Sequence, residues 1–234
     1  MELPCAFPAR TVEGHEKHPG LWVNICLEEI ESNADTESMR VIAGKYRSQP
    51  LDSPKGWDTR PTSDRLRETL FNVIAPHIQD AIFADLFAGT GAVGIEAISR
   101  GARHAYFAEN AKVPLETLRR NLDRLQIRKQ ATVDPAGTMP FLRRLLRQKI
   151  LLDLIFLDPP YKDQLAYETV LRFLAEHPVL PAGALVIVEH SRRFCLPEAG
   201  SKLQPYRLIE QGEAALTFFL CNTNAESRRS CDGD

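Results

Sequence analysis

The sequence has no long apolar run and no clustered cysteines, and both absences narrow the class of protein. No apolar stretch among the 234 residues approaches the roughly 20 residues that a membrane-spanning helix needs. The five cysteines are scattered without a C-x-x-C pair, which disfavours a zinc site or a disulfide framework and predicts separate reduced thiols. Internal repeats and low-complexity tracts are lacking too. We therefore expect a soluble cytoplasmic protein with one good-sized domain.

The net charge is only −2, but the charges are unevenly distributed. Residues 1–38 hold eight acidic and two basic residues, whereas residues 39–67 hold seven basic and three acidic ones. The first segment lacks the apolar core of a secretory signal and is too acidic for an organellar transit peptide, so we expect a disordered extension. The basic segment fits a polyanionic partner or, equally, a solvated surface. Because residues 222–234 are small and polar and should fray, the domain is expected at 39–221.

Apolar runs of strand and helix type alternate after residue 39. A short hairpin is predicted around Gly44, and Thr62 or Ser63 can cap the first helix. Further strands are predicted at 81–87, 104–108, near 132, and at 151–157, 184–188, 206–210 and 214–220. Helices are predicted between them at 92–99, 113–125, 139–147 and 165–176. This order predicts an α/β fold with a mostly parallel, doubly wound sheet and a C-terminal antiparallel hairpin.

A glycine loop, DLFAGTGAVG at residues 85–94, lies between the first central strand and its helix. It contains G-x-G-x-x-G in the strand-before, helix-after context that lets backbone approach a nucleotide-like ligand. Glu109 ends the next strand, where a carboxylate can accept both hydroxyls of a ribose. The alternative is a loop whose glycines serve only strand–helix packing. The placed acid favours a nucleoside-containing cofactor.

The loop alone fits NAD as well as S-adenosylmethionine, and Asp85 discriminates between them. Its carboxylate lies directly before the glycines, where it would repel a pyrophosphate but hold the ammonium group of a methionine. Asp85 could also serve only to shape the turn. S-adenosylmethionine is the favoured cofactor.

The tetrapeptide Asp158-Pro159-Pro160-Tyr161 closes the apolar run at 151–157. Two prolines cannot continue a sheet ladder, so the chain leaves the sheet at the strand's carboxyl end, where α/β sheets bind ligands. The Asp158 carboxylate and the Pro159 carbonyl could accept both hydrogens of an exocyclic amine, while Tyr161 stacks on its base. The alternative is a surface turn. In company with the glycine loop, the tetrapeptide predicts methyl transfer to an unpaired or flipped-out nucleobase.

These motifs, with others, resemble the RsmD family of small-subunit (16S) ribosomal RNA guanine-N2 methyltransferases. The segments that carry the resemblance are Met39-Arg-Val-Ile-Ala-Gly44, Thr59-Arg-Pro-Thr62, the glycine loop with Glu109, Asp158 to Tyr161, and Val188-Glu-His190. The first two are far more specific to this family than the others. The resemblance implies a Rossmann-like, seven-stranded methyltransferase sheet with a short N-terminal hairpin and helix. It also implies that a guanine N2 of 16S rRNA, in an assembled or assembling 30S subunit, is methylated by a monomer without metal.

The resemblance further implies roles for particular residues. Asp158, Pro159, Pro160 and Tyr161 would form the catalytic site. Residues implied to bind the cofactor are Arg60, Thr62, Asp85, Phe87, Ala88, Gly89, Thr90, Gly91, Glu109, Asn110 and Asp134. The segment 39–61 would face RNA, and the residues implied to contact it are Arg40, Lys45, Arg47 and Arg65.

The sequence leaves open which residue contacts the adenine of the cofactor. Family members carry Asp or Asn before the helix that follows the third strand; here either Asp134 or the backbone near Gly137 would reach the adenine.

Two other activities are alternatives. A DNA adenine-N6 or cytosine-N4 methyltransferase would use the same Asp-Pro-Pro-Tyr chemistry but usually carries a dedicated target-recognition segment. An NAD-linked oxidoreductase would share the glycine loop but would leave Asp158 to Tyr161 without a role.

Overall fold

The alternating apolar runs form eight strands and five helices within the part of the chain that is described. The computed structural model describes residues 39–54 and 63–222, and the backbone alone of residues 24–26. The strands are β1 Asn24–Cys26, β2 Ile82–Asp85, β3 His104–Ala108, β4 Ala131–Asp134, β5 Leu154–Leu157, β6 Leu185–Ser191, β7 Leu203–Gln211 and β8 Ala214–Cys221. The helices are α1 Asp64–Ile78, α2 Ala92–Ser99, α3 Lys112–Arg124, α4 Thr138–Gln148 and α5 Gln164–Glu176.

All eight strands belong to one sheet with the order β1-β7-β8-β6-β5-β2-β3-β4. Only β8 runs antiparallel to its neighbours, β6 and β7, so the predicted mostly parallel sheet with a C-terminal hairpin is confirmed. The chain proceeds outwards from β2 through β3 to β4, then returns to place β5 on the other side of β2. Ligands bind to sheets of this kind at such a reversal, beyond the strands' carboxyl ends. The sheet therefore positions a site after β2 and β5.

Two apolar cores lie on the faces of the sheet. Buried side chains of α1, α2 and α3 form one core together with Val41 and Leu51 from the N-terminal segment. Buried side chains of α4 and α5 form the other. The central strand β5 is buried along its whole length, as expected for a strand covered on both faces. Both cores hold the strand ends in fixed positions, which a binding site there requires.

The N-terminal segment forms the predicted hairpin around Gly44, although it builds no regular strand pair. Its two arms make one isolated antiparallel bridge, between Arg40 and Pro50. Further backbone hydrogen bonds join the arms, from the N–H of Val41 to the Gln49 carbonyl at 3.0 Å, from Ser48 to Val41 at 2.8 Å and from Leu51 to Met39 at 2.8 Å. The Glu96 carboxylate of α2 accepts the N–H groups of Ile42 and Ala43 at 2.7 and 2.9 Å. The hairpin is thus also docked on a helix.

An edge strand, β1, was not expected from the sequence. It lies within the extension at residues 1–38 and pairs in parallel with β7, with Ile25 opposite Ile209. The seven predicted strands thereby gain an eighth at one edge of the sheet. The rest of the extension lies outside the described residues.

The structure also tests the predictions of separate reduced thiols and of no membrane-spanning helix. Of the two cysteines whose side chains are described, Cys221 is a free, buried thiol and Cys195 is disulfide-bonded. The prediction of separate thiols is therefore wrong for Cys195, because sequence spacing does not tell which cysteines meet in a fold. Within residues 39–54 and 63–222, no helix is both long enough and apolar enough to cross a membrane.

Candidate active site

The glycine turn joins β2 to α2 and depends on Gly91. This residue immediately precedes α2 with a positive φ of 82°, a conformation that side chains rarely adopt. A Cβ atom placed on Gly91 would lie 2.2 Å from Cδ1 of Leu118, so α3 packs directly against the turn. A Cβ on Gly89 would meet nothing within 4 Å. The turn is therefore closely packed on its inner side and open at Gly89.

Asp85 ends β2 directly below this turn and is almost completely buried, with 1% of its surface exposed. Its Oδ2 accepts the N–H of Gly94 from α2 at 3.1 Å. Burial raises the pKa of Asp85 to about 7, the Gly94 hydrogen bond opposes this rise, and the negative charge of Glu109 adds to it. Asp85 is therefore a carboxyl group that a nearby cation would ionise.

Glu109 connects the glycine turn to the start of α3. One carboxylate oxygen accepts the N–H of Gly89 at 2.8 Å, and the other accepts the N–H of Ala111 at 2.7 Å. An ionised carboxylate has about four acceptor positions, so both oxygens keep capacity for further donors. Glu109 is half-buried and Asn110 is exposed beside it. This geometry suits a carboxylate that also accepts hydroxyl groups.

Asp134 ends β4 and is fully buried. Its Oδ1 accepts the N–H of Ala136 at 2.9 Å, and its other oxygen forms an ion pair with Arg144 of α4. The next turn brings Gly137 beside Asn110, since a Cβ on Gly137 would lie 3.2 Å from Nδ2 of that residue. The Asp134 carboxylate thus binds groups of its own loop and of the following helix, α4. Gly137 and Asn110 lie side by side.

Asp158 lies at the end of β5, next to the strand that carries Asp85. Asp158 is half-buried and Pro159 is buried, whereas Pro160 and Tyr161 are exposed. Burial raises the pKa of Asp158 well above its ordinary value, and the negative charges of Glu189 and Asp85 raise it further. The predicted cofactor residue Asp85 and the predicted base-binding residue Asp158 therefore lie close enough for the charge of one to raise the pKa of the other. Both lie at the carboxyl ends of neighbouring strands, β2 and β5.

Tyr167 and Glu189 belong to the same cluster and were absent from the predicted site. Tyr167, a fully buried residue of α5, donates its hydroxyl towards the Glu189 carbonyl at 3.1 Å and the Pro159 carbonyl at 3.4 Å. The Tyr161 hydroxyl lies 3.4 Å from Oε1 of Glu189. Glu189 belongs to the family segment Val188-Glu-His190, but only the structure shows its contact with the tetrapeptide. Tyr167 fits the apolar stripe of a helix and carries no motif.

His190, the neighbour of Glu189, has a structural role. Its Nδ1 bonds to the Ser191 carbonyl at 2.9 Å and its Nε2 to the Thr217 hydroxyl at 2.8 Å. Burial lowers the pKa of His190, so the neutral ring is favoured. With both ring nitrogens engaged inside the sheet, His190 serves the β6–β8 pairing.

A second bridge couples the N-terminal segment to the glycine turn. Asn121 of α3 is fully buried and accepts the N–H of Asp52 at 2.7 Å. Its amide nitrogen donates to the carbonyl groups of Asp52 at 3.2 Å and Thr90 at 3.0 Å. Arg124 reinforces the contact by an ion pair with Asp52 at 2.6 Å. One amide side chain therefore joins the basic segment to the predicted cofactor loop.

The four basic residues implied to face RNA lie on the surface near this segment. Arg40, Lys45, Arg47 and Arg65 are all exposed. The Arg40 guanidinium is also 3.7 Å from the carboxylate of Asp64 at the start of α1. Arg60 and Thr62, implied to close over the cofactor, lie outside the described residues; the structure uses Ser63 as the cap of α1. Among the described residues, no three potential metal ligands cluster.

Comparisons with known proteins agree with this geometry. Residues 39–220 match the family described as conserved hypothetical protein 95. Ribosomal RNA small subunit methyltransferase D of Escherichia coli (strain K12) is 33% identical over 196 residues, covering 84% of this chain and 96% of that protein. Its namesake in Haemophilus influenzae (strain Rd) is 36% identical over 164 residues, covering 70% and 84%.

The solved structure of the Escherichia coli protein yhhF is also similar. It superposes with a TM-score of 0.69 at 34% identity, covering 80% of this chain and 99% of that one. This likeness confirms the predicted Rossmann-like sheet, and the matched residues begin at the predicted domain start, Met39. The chain belongs to the RsmD family of methyltransferases.

Proposed function

We propose that this protein uses S-adenosylmethionine to methylate the exocyclic N2 amine of one guanine in 16S ribosomal RNA, within an assembled or assembling 30S subunit. The observation that carries the proposal is the meeting of Asp85 and Asp158 at the ends of adjacent strands β2 and β5. One carboxyl group suits a cationic cofactor and the other suits an amine. Membership of the RsmD family supports the ribosomal substrate.

The residues after β2 and β3 fit S-adenosylmethionine. Asp85 would hold the methionine ammonium, since its pKa of about 7 falls when a cation lies beside it. Glu109 would accept the ribose hydroxyls with the acceptor capacity left beside Gly89 and Ala111. Because Asp134 is engaged by Ala136 and Arg144, we place the adenine against the backbone near residue 137 and Asn110. Phe87, Ala88, Thr90 and Gly91 would line the turn, and Arg60 and Thr62 remain candidates to cover it.

The cofactor supplies a methyl group bound to a positively charged sulfur, and the protein must present a nucleophile to it in line. The lone pair of a guanine amine is delocalised into its ring, so the amine is a weak nucleophile. Asp158 and the Pro159 carbonyl would accept its two hydrogens and draw the nitrogen towards tetrahedral geometry. Tyr161 would stack on the flipped base, which contributes on the order of 1–3 kcal/mol, while Pro160 fixes the turn.

Proton removal is the remaining task. When the methyl group is transferred, the nitrogen must lose one of its two hydrogens as a proton. Asp158 would accept it in its ionised form, because burial and the negative charges of Glu189 and Asp85 raise the pKa of this carboxyl group and so make its carboxylate a stronger base. Tyr167 would keep the Pro159 carbonyl in place through its hydroxyl. No separate strong base is required.

We propose that the RNA approaches along the basic segment at residues 39–61. Arg40, Lys45, Arg47 and Arg65 would contact phosphates, which position the substrate without reading its sequence. The docking of residues 42–52 on Glu96 and Asn121 would fix the charges of Arg40, Lys45 and Arg47 relative to the glycine turn. We assign the activity to residues 39–221, acting as a cytoplasmic monomer without a metal.

Transfer of labelled methyl groups from S-adenosylmethionine tests the proposal directly. The acceptors are 30S subunits and naked 16S rRNA from cells that lack the endogenous modification, and mass spectrometry of digested rRNA locates the product. We expect N2-methylguanosine at a single position. The variant Asp158→Ala should lose turnover while it binds S-adenosylhomocysteine with wild-type affinity in calorimetry. Methylation of adenine, or of DNA, would instead favour the alternative amino-methyltransferase.

A further inference from the structure

Glu189 places a second carboxylate beside the Asp-Pro-Pro-Tyr turn. It lies on β6, whose register with β5 pairs Leu157 with Val188, so Glu189 and Asp158 follow at the same level of neighbouring strands. Oε1 of Glu189 is 3.4 Å from the Tyr161 hydroxyl, and 4% of the residue surface is exposed. Its charge also contributes to the raised pKa of Asp158. The carboxylate thus lies beneath Tyr161, next to the position that a base stacked on this ring would occupy.

A guanine differs from other amine-bearing bases at the ring nitrogen next to its amine. Guanine carries a hydrogen on N1, whereas adenine N1 and cytosine N3 carry lone pairs. Acceptors for the amine hydrogens, such as Asp158 and the Pro159 carbonyl, would treat the three bases alike. A second acceptor at the ring nitrogen would bind the N1 hydrogen of guanine and repel the other two bases, since enzymes recognise flipped bases by such edge contacts.

We propose that Glu189 accepts the N1–H of the target guanine and so determines the choice of guanine over adenine and cytosine. A carboxylate offers about four acceptor positions on two oxygens, and the Tyr161 hydroxyl occupies one of them, at Oε1. The backbone carbonyl of the same residue accepts from Tyr167 at 3.1 Å, which fixes the strand that carries the carboxylate. This inference rests on the proposed function, because it assumes a base in the Asp158 site.

Replacement of the target guanine by 2-aminopurine tests the inference. This base keeps the N2 amine but has a lone pair in place of the N1 hydrogen. It can be introduced at the methylated position by ligating a synthetic oligonucleotide into 16S rRNA, which is then assembled into 30S subunits. The measured quantity is the ratio of kcat/KM for guanine to kcat/KM for 2-aminopurine. A site built to pair with a donor rejects the analogue that lacks it, so wild-type protein should prefer guanine by about a hundredfold or more.

The variant Glu189→Gln carries an amide that can donate to the N1 lone pair. We expect its guanine preference to fall at least about tenfold, because the repulsion of a lone pair by a carboxylate is replaced by a hydrogen bond. Tyr161→Phe is the matched control: it removes the hydroxyl that contacts Glu189 but keeps the carboxylate. This control should slow both substrates and leave the ratio within about threefold of wild type.

Each outcome decides the matter. A lowered ratio in Glu189→Gln alone supports the inference. An unchanged ratio in that variant, or an equal fall in Tyr161→Phe, overturns it while wild-type guanine methylation keeps the proposed function intact. Failure of wild-type protein to methylate guanine overturns the proposed function and this inference together. Calorimetry with S-adenosylhomocysteine checks that the variants fold; should Glu189→Gln not fold, equal wild-type rates on both bases would still overturn the inference.

Discussion

The docking of the N-terminal segment on Glu96 predicts a large loss of stability in Glu96→Gln. The carboxylate is fully buried, accepts the N–H groups of Ile42 and Ala43, and pairs with Nε of Arg100 at 2.6 Å. Glutamine keeps one acceptor oxygen, but its NH₂ group would face another donor. A buried donor left without an acceptor costs about 1–3 kcal/mol, and a hydrogen bond to a charged group contributes about 1.5–3 kcal/mol. Since the cost of the unpaired donor and the lost charged hydrogen bond overlap, we expect the free energy of unfolding to fall by about 2–4 kcal/mol.

The measurement is equilibrium unfolding in urea with a parallel thermal scan. For a chain of this size the expected loss corresponds to a fall in Tm of roughly 5–15 °C. The matched control is Glu168→Gln, which removes a carboxylate from another pair with i,i+4 spacing. Glu168 and Arg172 are 3.6 Å apart and more than half exposed, so this change should cost less than about 0.5 kcal/mol.

Hydrogen exchange separates docking from general stability. In Glu96→Gln the amides of Ile42 and Ala43 should exchange faster under conditions in which the central strand β5 stays protected. If the two variants unfold within about 0.5 kcal/mol of each other and these amides keep their protection, the buried carboxylate does not hold the segment and the reasoning fails.

Three further predictions concern the site itself. Tyr167→Phe removes the donor to the Pro159 carbonyl and should lower single-turnover methyl transfer about tenfold with unchanged binding of S-adenosylhomocysteine; an unchanged rate would contradict the positioning role. Gly91→Ala brings a Cβ to 2.2 Å from Leu118 and should abolish the binding of S-adenosylhomocysteine in calorimetry. In the control Gly212→Ala, the new Cβ meets nothing within 4 Å, although φ is positive. This control should lower the free energy of unfolding in urea by only about 1 kcal/mol. Because the folded-state pKa of Asp85 is raised to about 7 from 3.8, the folded protein holds the extra proton between these values, so this residue's contribution to stability falls as the pH rises from 4 to 7. Binding of the methionine ammonium at pH 6 should release that proton; calorimetry in buffers of different ionisation enthalpy should detect it in wild type and not in Asp85→Asn.

Local patterns were enough to predict most of the fold. The bounds of α2 and β3 agree residue for residue with the predictions, because their apolar periods are set by neighbours in sequence. The family segments located the strand ends that carry Asp85, Glu109 and Asp158. The hairpin around Gly44 was predicted from its local pattern, but its attachment to Glu96, which lies more than 50 residues away, was not. A local pattern contains no information about such a partner.

The same limit explains the missing parts of the site. Tyr167 occupies a buried position that an apolar residue would fill equally well, and only the packed structure shows where its hydroxyl ends. Asp134 has the residue type expected of an adenine contact, yet Arg144 of the following helix engages it. Polar side chains buried between elements form hydrogen bonds with partners that are distant in sequence. A single sequence therefore shows which functional groups are present but not which partners they contact.

The bridges to the N-terminal segment also impose an order on the folding of a growing chain. Residues 39–52 are synthesised before the rest of the domain, and their anchors Glu96 and Asn121 follow 53 to 69 positions later. At about 5–20 residues per second, the segment waits for several seconds before either anchor exists. Its final shape therefore depends on α2 and α3 being complete. The basic surface forms only after α3 has been made, although residues 39–52 begin the domain, so a chain that stops before α3 leaves this surface unformed.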